Sequence, residues 1–321
     1  MEFTTLGNTG LKASVAGLGC GGNSRLGLSR GSSSTECVKL VQTAIDAGVN
    51  FIDTADSYGT EAIVGEAAKH FNRDQLIIST KAQFDPSSRP QDVTKKVDAA
   101  LKRLDMDYID IFHLHTVQPA HYLFARDELS PALLRAKEQG KIRHIGITEV
   151  PPKDPLQETI RQAVSEAPEE APWEVVMLAY SIVNQAARDA IFPRSKERGI
   201  GTLLMFVVRN FFSRTENRNR VLADLVERCE LPREFLKEED PLLSLVRDGG
   251  ASSVTDAAYR FARHQPGANV ILFGTGNQEH LKANIESIVK PPLHPTLVAK
   301  LHQLFGHLIG VGLDLPDQLG P

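Results

Sequence analysis

Eight short apolar runs, each separated from the next by a stretch of helical spacing, govern what this chain can fold into. They are SVAGLG (14–19), VNFIDT (49–54), LIISTK (76–81), YIDIFHLH (108–115), KIRHIGIT (141–148), WEVVMLAY (173–180), GTLLMF (201–206) and NVILFG (269–274). Several are apolar nearly throughout, which suits parallel strands covered on both faces. Between them lie helix signals. Ser33 and Glu36 form a capping-box pattern ahead of Val38, Val41 and Ile45. Val93, Val97, Ala100, Leu101 and Leu104 make one apolar stripe, and Leu129, Leu133 and Ala136 begin another that Gly140 stops. Strand and helix alternating eight times predict an α/β chain, a (β/α)8 TIM barrel in one domain over residues 1–321. A doubly wound open sheet is the structural alternative.

Two segments fall outside the repeat. Gly7-Asn8-Thr9-Gly10 is a turn signal that predicts an N-terminal β-hairpin ahead of the first barrel strand. Residues 209–250 form a long, charge-dense loop between strands 7 and 8, where a barrel presents its catalytic face; a lid and a solvated insertion are both open readings. A further amphipathic helix is expected over 295–308, then a Gly/Pro-containing tail.

Composition narrows the classes of function. The net charge of −4 carries no long block of one sign, so nucleic acid and anionic membrane surfaces are not expected partners. No apolar run reaches the ~20 residues of a membrane span, and the N-terminus lacks the order of a secretion signal. Cys20, Cys37 and Cys229 fit neither a disulfide framework nor a paired metal site, which predicts a reducing, cytoplasmic setting and no metal. Oligomeric state is not legible.

In a barrel, the C-terminal ends of the strands line the active site. The second run ends near Asp53, the third at Lys81 and the fourth at His115, and Tyr58 closely follows the second. Singly, each has an ordinary explanation: a turn former, a surface cation, a structural imidazole, a loop aromatic. Together they make coherent chemistry. A phenol with a pKa near ~10 is a poor acid at neutral pH, and a neighbouring ammonium stabilises its anion. A buried carboxylate keeps that ammonium charged. His115 at the same rim can orient a carbonyl. These groups polarise and protonate a carbonyl but cannot deliver hydride, so a nicotinamide or flavin cofactor is implied.

The runs DTADSYG, STK, YIDIFHLH and GKIRHIGIT resemble those of the aldo-keto reductase family, and the resemblance extends from LGNTGLKAS to NVILFGTGNQEHLKANI. It implies a barrel binding NADPH, with NADH possible, and a small-molecule carbonyl substrate. It further implies Tyr58 as proton donor, supported by Asp53, Lys81 and His115. His115 is preferred to His113 because the family's histidine stands five residues after the aspartate corresponding to Asp110; His113 is expected inside the barrel. Where the family commonly has Ser-Asn for the nicotinamide carboxamide, this chain has Thr148-Glu149. Met177 replaces the usual Gln, Met205 replaces an aromatic, and VVRNFF replaces the segment that follows. Gly274 and Thr275 would lie by the adenosine phosphate, with His280 and Asn284 nearer the adenine. His280 stands where many members place an Arg, which leaves the choice of nucleotide open.

Other readings are weaker in spacing. GLGCGG (17–22) matches a dinucleotide fingerprint, but NSRLGLSRGSSS intervenes before helical periodicity begins. In the barrel it would form a rim loop, with Gly19 and Cys20 approaching the nicotinamide ribose. His113 and His115 resemble an HxH metal pair without further ligands. A Schiff-base role for Lys81 needs a neutral amine, which Asp53 disfavours. The expected function is therefore NAD(P)H-dependent reduction of an aldehyde or ketone. A barrel that binds nucleotide for regulation with impaired turnover is the alternative, motivated by Glu149, Met177 and Met205.

Overall fold

A computed structural model describes residues 1–167 and 171–313; the end of the expected C-terminal tail lies outside the described residues. An antiparallel hairpin, β1 (Phe3–Thr5) and β2 (Lys12–Ser14), precedes eight parallel strands. These are β3 (Ala16–Gly19), β4 (Phe51–Asp53), β5 (Ile77–Gln83), β6 (Ile109–Val117), β7 (Ile142–Glu149), β8 (Val175–Ala179), β9 (Gly201–Met205) and β10 (Val270–Phe273). They pair in sequence order and β10 closes on β3, giving the expected barrel rather than an open sheet.

Strand alternation sorts the side chains into two layers. Ile52, Ile78, Phe112, Ile145, Ile147 and Leu178 lie in the large core under the helices. Phe51, Ile77, Ile111, Val175, Leu203 and Val270 fill the barrel interior, together with Leu6, Leu11 and Ala13 from the hairpin region. The hairpin thus plugs the barrel with apolar side chains. The helix Ser34–Asp46 starts with the expected Ser33/Glu36 capping box, and Pro90–Leu104 buries Val93, Val97, Ala100 and Leu104.

Two strands outrun their apolar runs at the C-terminal end. β5 and β6 run two residues beyond Lys81 and His115, because their ladder continues through the pairing of Gln83 with His115. β6 then leaves its register at Thr116, where φ is 57°. The connection over 209–250 is long but is not an open loop. It contains helical segments Asn210–Ser213, Thr215–Glu227, Arg233–Lys237 and Pro241–Asp248, with Phe211, Phe212, Leu222, Leu225 and Leu242 buried. Buried Arg218 binds Asp240 and ties the second segment to the start of the fourth. Its dense charge masked a narrow apolar face.

Asp110, fully buried on β6, fastens three elements. Its carboxylate accepts from the Ile78 amide at 2.9 Å, from Arg73 at 2.7 Å and from Arg143 at 3.0 Å. Asp110→Ala leaves two guanidinium groups and a buried amide without their acceptor. It is expected to lower unfolding free energy by about 1–3 kcal/mol, measured by chemical denaturation.

Candidate active site

Period-2 alternation explains how the site is assembled. On each of three adjacent strands an apolar residue facing the interior is followed, two positions on, by a polar one. The files are Phe51 and Asp53 on β4; Ile77, Ser79 and Lys81 on β5; and Ile111, His113 and His115 on β6. The interior is dry below and polar above. Across the mouth, Met177 of β8 and Met205 of β9 continue the apolar cluster, so the opposite wall is oily.

Lys81 and Asp53 meet at the centre of the polar wall. Lys81 Nζ donates to Asp53 Oδ2 at 2.6 Å and to the Thr54 carbonyl at 2.9 Å, and the two residues are 1% and 4% exposed. Burial pulls the Lys81 pKa down, but Asp53 and Tyr58 outweigh it and the net shift is upward. Burial pushes Asp53 up, while Lys81 and Ser79 pull against it. At a separation of 2.6 Å the ammonium–carboxylate form is the one this geometry favours.

Tyr58 lies on a 3-10 turn, Asp56–Tyr58, between β4 and the helix Glu61–Ala68. Lys96 holds Asp56 at 2.9 Å, and Arg25 donates through Nε to the Tyr58 carbonyl at 2.8 Å. Lys81 Nζ stands 5.0 Å from the centroid of the Tyr58 ring, and the His115 ring meets that ring edge-on at 5.9 Å. Gly21 of the rim loop permits this placement, since a Cβ there would come within 2.4 Å of the phenol ring. Burial raises the Tyr58 pKa, Asp53 adds to the rise, and Lys81 lowers it by charge and by hydrogen bonding. The net direction is up. The expected contribution of the lysine is present, but burial exceeds it. The phenol therefore stays protonated.

Both histidines are neutral, with pKa values well below the ordinary 6.5 through burial and the nearby Lys81 charge. His113 lies inside the barrel, as expected, with Nε2 3.1 Å from Ser79 Oγ. Ser79 Oγ in turn donates to Asp53 Oδ1 at 2.9 Å, so His113 serves as the donor to Ser79 through Nε2–H. Gly146 on β7 makes room for that ring: a Cβ would fall 2.1 Å from His113 Nδ1. Ser79 was not singled out from the sequence, although its place two residues before Lys81 puts both on one face. His115 is 9% exposed and its Nδ1 is buried without a partner.

The residues expected to meet a nucleotide form an arc around the same mouth. Gly19 pairs with Asp53 and adjoins Gly274, where a Cβ would lie 3.2 Å from the Gly19 carbonyl oxygen. Cys20 is fully buried and donates its amide to the Asp53 carbonyl at 2.8 Å. Thr148 pairs with Met177, and its Oγ1 accepts from the Thr116 amide at 2.8 Å. Glu149 is bonded to Gln157 and to the Ala179 amide. Thr275 Oγ1 accepts from the Asn277 amide at 3.1 Å, and Asn277 caps the helix Gln278–Val289 through the amides of Glu279 and His280. His280 is exposed and Asn284 half-buried, one turn apart on that helix.

Among the described residues no cluster of His, Cys, Asp or Glu has the makings of a metal site, and no helix is long and apolar enough to cross a membrane.

The model of the Aldo/keto reductase family matches residues 17–304. Aldo-keto reductase YhdN of Bacillus subtilis is 29% identical over 305 residues, covering 88% of this chain and 87% of the relative. L-galactose dehydrogenase of Arabidopsis thaliana is 37% identical over 162 residues, 47% of this chain and 49% of that one. Among solved structures, the thermostable aldo-keto reductase Tm1743, in complex with the inhibitor epalrestat, is 25% identical with a TM-score of 0.72, covering 95% of this chain and 100% of its own. Aldo-keto reductase AKR11C1 from Bacillus halodurans, in its holo form, has a TM-score of 0.70 at 22% identity, covering 98% and 100%, a likeness of fold.

The Ser79 hydroxyl joins Asp53 to His113, so Ser79→Ala removes a donor from a buried carboxylate and an acceptor from a buried imidazole. Equilibrium denaturation is expected to show a loss of about 1–3 kcal/mol. An unchanged midpoint would mean that the hydroxyl bridges nothing.

Proposed function

This chain belongs to the aldo/keto reductase family, and from that premise we propose that it reduces an aldehyde or ketone to an alcohol, with hydride from NAD(P)H and a proton from Tyr58. The observation that carries this reading is the contact order Asp53, Lys81, Tyr58, His115 at one barrel mouth. The residues present fit a dinucleotide. Gly19 and Gly274 meet without side chains between them, and the loop Gly274–Asn277 opens a helix whose N-terminus favours an anion. Gly274, Thr275, His280 and Asn284 would hold the adenosine end. Gly19, Thr148, Met177 and Met205 would surround the nicotinamide end, with the side chains of Cys20 and Glu149 buried behind them.

The protein's own part is acid catalysis. A substrate carbonyl seated between Tyr58 and His115 receives a hydrogen bond from the neutral imidazole, whose protonation state is fixed by burial and by the Lys81 charge. As negative charge grows on the carbonyl oxygen, the Tyr58 hydroxyl proton crosses to it. The phenolate left behind faces a fixed ammonium. That ammonium needs no reorganisation at the moment of transfer, because Asp53 and the Thr54 carbonyl already hold two of its three N–H groups. The methionine wall offers apolar surface to the nicotinamide or to the substrate rather than hydrogen bonds. NADPH is preferred to NADH in this reading on family grounds; His280 offers the 2′-phosphate a partner weaker than arginine.

Two measurements test the reading. NADPH consumption with a reactive aromatic aldehyde is expected for the wild type; tight nucleotide binding without turnover over a panel of carbonyls would favour the regulatory barrel. Tyr58→Phe is expected to retain nucleotide affinity while losing about 10²- to 10⁴-fold in turnover. Turnover equal to wild type in that variant removes Tyr58 from the mechanism.

A further inference from the structure

At the joint between β7 and β8 two buried oxygens, on residues already bonded to each other, have nothing to donate to either. Glu149 ends β7 and is 1% exposed; Gln157 is 0% exposed. Glu149 Oε1 accepts from the Ala179 amide at 2.8 Å and from Gln157 Nε2 at 2.9 Å. Gln157 Nε2 gives its second hydrogen to the Ala179 carbonyl at 2.9 Å. Glu149 Oε2 and Gln157 Oε1 remain, both buried and both without a partner. Turning the Gln157 amide over does not help, because its oxygen would then confront the Ala179 carbonyl and Glu149 Oε1, acceptor against acceptor. One proton resolves both vacancies.

We propose that Glu149 is held as a neutral carboxylic acid whose Oε2–H donates to Gln157 Oε1, closing an acid–amide ring that locks the end of β7 to β8. Glu149 is then a positioning residue. Its side chain follows the face of Ile145 and Ile147, which lie in the core outside the barrel, whereas Thr148 beside it pairs with Met177 of the inner wall. The lock sets the spacing of Thr148 and Met177, the pair expected to flank a nicotinamide. The ring itself stands on the hydrogen bonds alone; its consequence for the nucleotide rests on the reductase reading above.

The electrostatics agree. Burial pushes the Glu149 carboxyl up to about 8, with the Ala179 amide and Gln157 pulling against the rise and Asp154 adding to it. Asp154, in the turn after β7, spends its carboxylate on the amides of Glu158 and Thr159. β7 also carries Arg143 and His144, paired with Asp110 and Glu174; along the chain near Glu149 are exposed Lys153 and Glu158, half-buried Arg161, and Tyr180, whose hydroxyl is committed to Gln265. The folded pKa lies above the unfolded one, so the stabilisation is complete below the ordinary 4.5 and is lost as pH rises towards about 8.

Glu149→Gln is the decisive variant, because its amide can form the same ring without a proton. Thermal unfolding is to be followed from about pH 5 to about pH 9 for the wild type, Glu149→Gln and Glu149→Ala, together with NADPH affinity by fluorescence titration. The wild type is expected to lose melting temperature relative to Glu149→Gln steadily up to about pH 8 and to run parallel above it. Glu149→Ala should be less stable than Glu149→Gln at every pH. A protonated-carboxyl infrared band at pH 7 should vanish in Glu149→Gln. NADPH affinity should weaken in the wild type only as the folded Glu149 ionises, at about pH 8, and not in Glu149→Gln. Parallel melting curves throughout, or failure of Glu149→Gln to fold, overturns the ring. A ring with pH-independent NADPH affinity overturns the positioning role. Absence of carbonyl reduction in the wild type would sink the reductase reading and leave the melting and infrared results standing.

Discussion

The Lys81–Asp53 ion pair is the contact on which the chemistry proposed for this barrel mouth depends. A cation stripped of water is costly, and a carboxylate stripped of water is equally so; each is tolerable only because the other is there and because further hydrogen bonds complete the set. Asp53 has Ser79 on one oxygen and Lys81 on the other, while Lys81 adds the Thr54 carbonyl. In the proposed mechanism the third N–H of the ammonium acts on Tyr58, whose ring centroid is 5.0 Å away. Neutralising either partner leaves the other as a buried, uncompensated charge, so the site's stability and its acid strength depend on a single contact.

Burial works in two directions around that contact. It raises the Tyr58 pKa and keeps the phenol protonated, and it lowers both histidines and keeps them neutral. The ammonium of the Lys81–Asp53 pair therefore has neutral hydrogen-bonding groups around it. Such a field is poised for a reaction in which negative charge appears transiently on one oxygen. The barrel supplies the rigidity, through parallel strands whose inward files change from apolar to polar along their length. The apolar wall of Met177 and Met205 confines the polar groups to one side of the mouth.

Much of this was legible in the chain. Proximity to strand ends placed Asp53, Lys81 and His115 together, and Ser33 with Glu36 announced its helix. Strand ends were legible only to within two residues, because β5 and β6 extend each other's ladder past the apolar run. Ser79 escaped notice because a serine in a strand gives no signal until its neighbours are known. Arg25 reaches Tyr58 across 33 residues, a distance no local pattern encodes. The 209–250 connection reads as loop because its apolar face is thin against the charge around it. Glu149 looks like an eroded ligand position in sequence; only its bonds to Gln157 and Ala179 reveal a second occupation.

The central claim is that Lys81 is an ammonium throughout the neutral range because Asp53 holds it there. Nitrogen NMR of selectively labelled lysine, with Lys81→Met to assign the signal, reads this state directly across a pH titration. The account predicts an Nζ resonance that stays in its charged position past the ordinary lysine value of 10.5. An Nζ that loses its proton near neutrality would mean that burial overcomes Asp53, and the phenol would then have no cation to stabilise its anion.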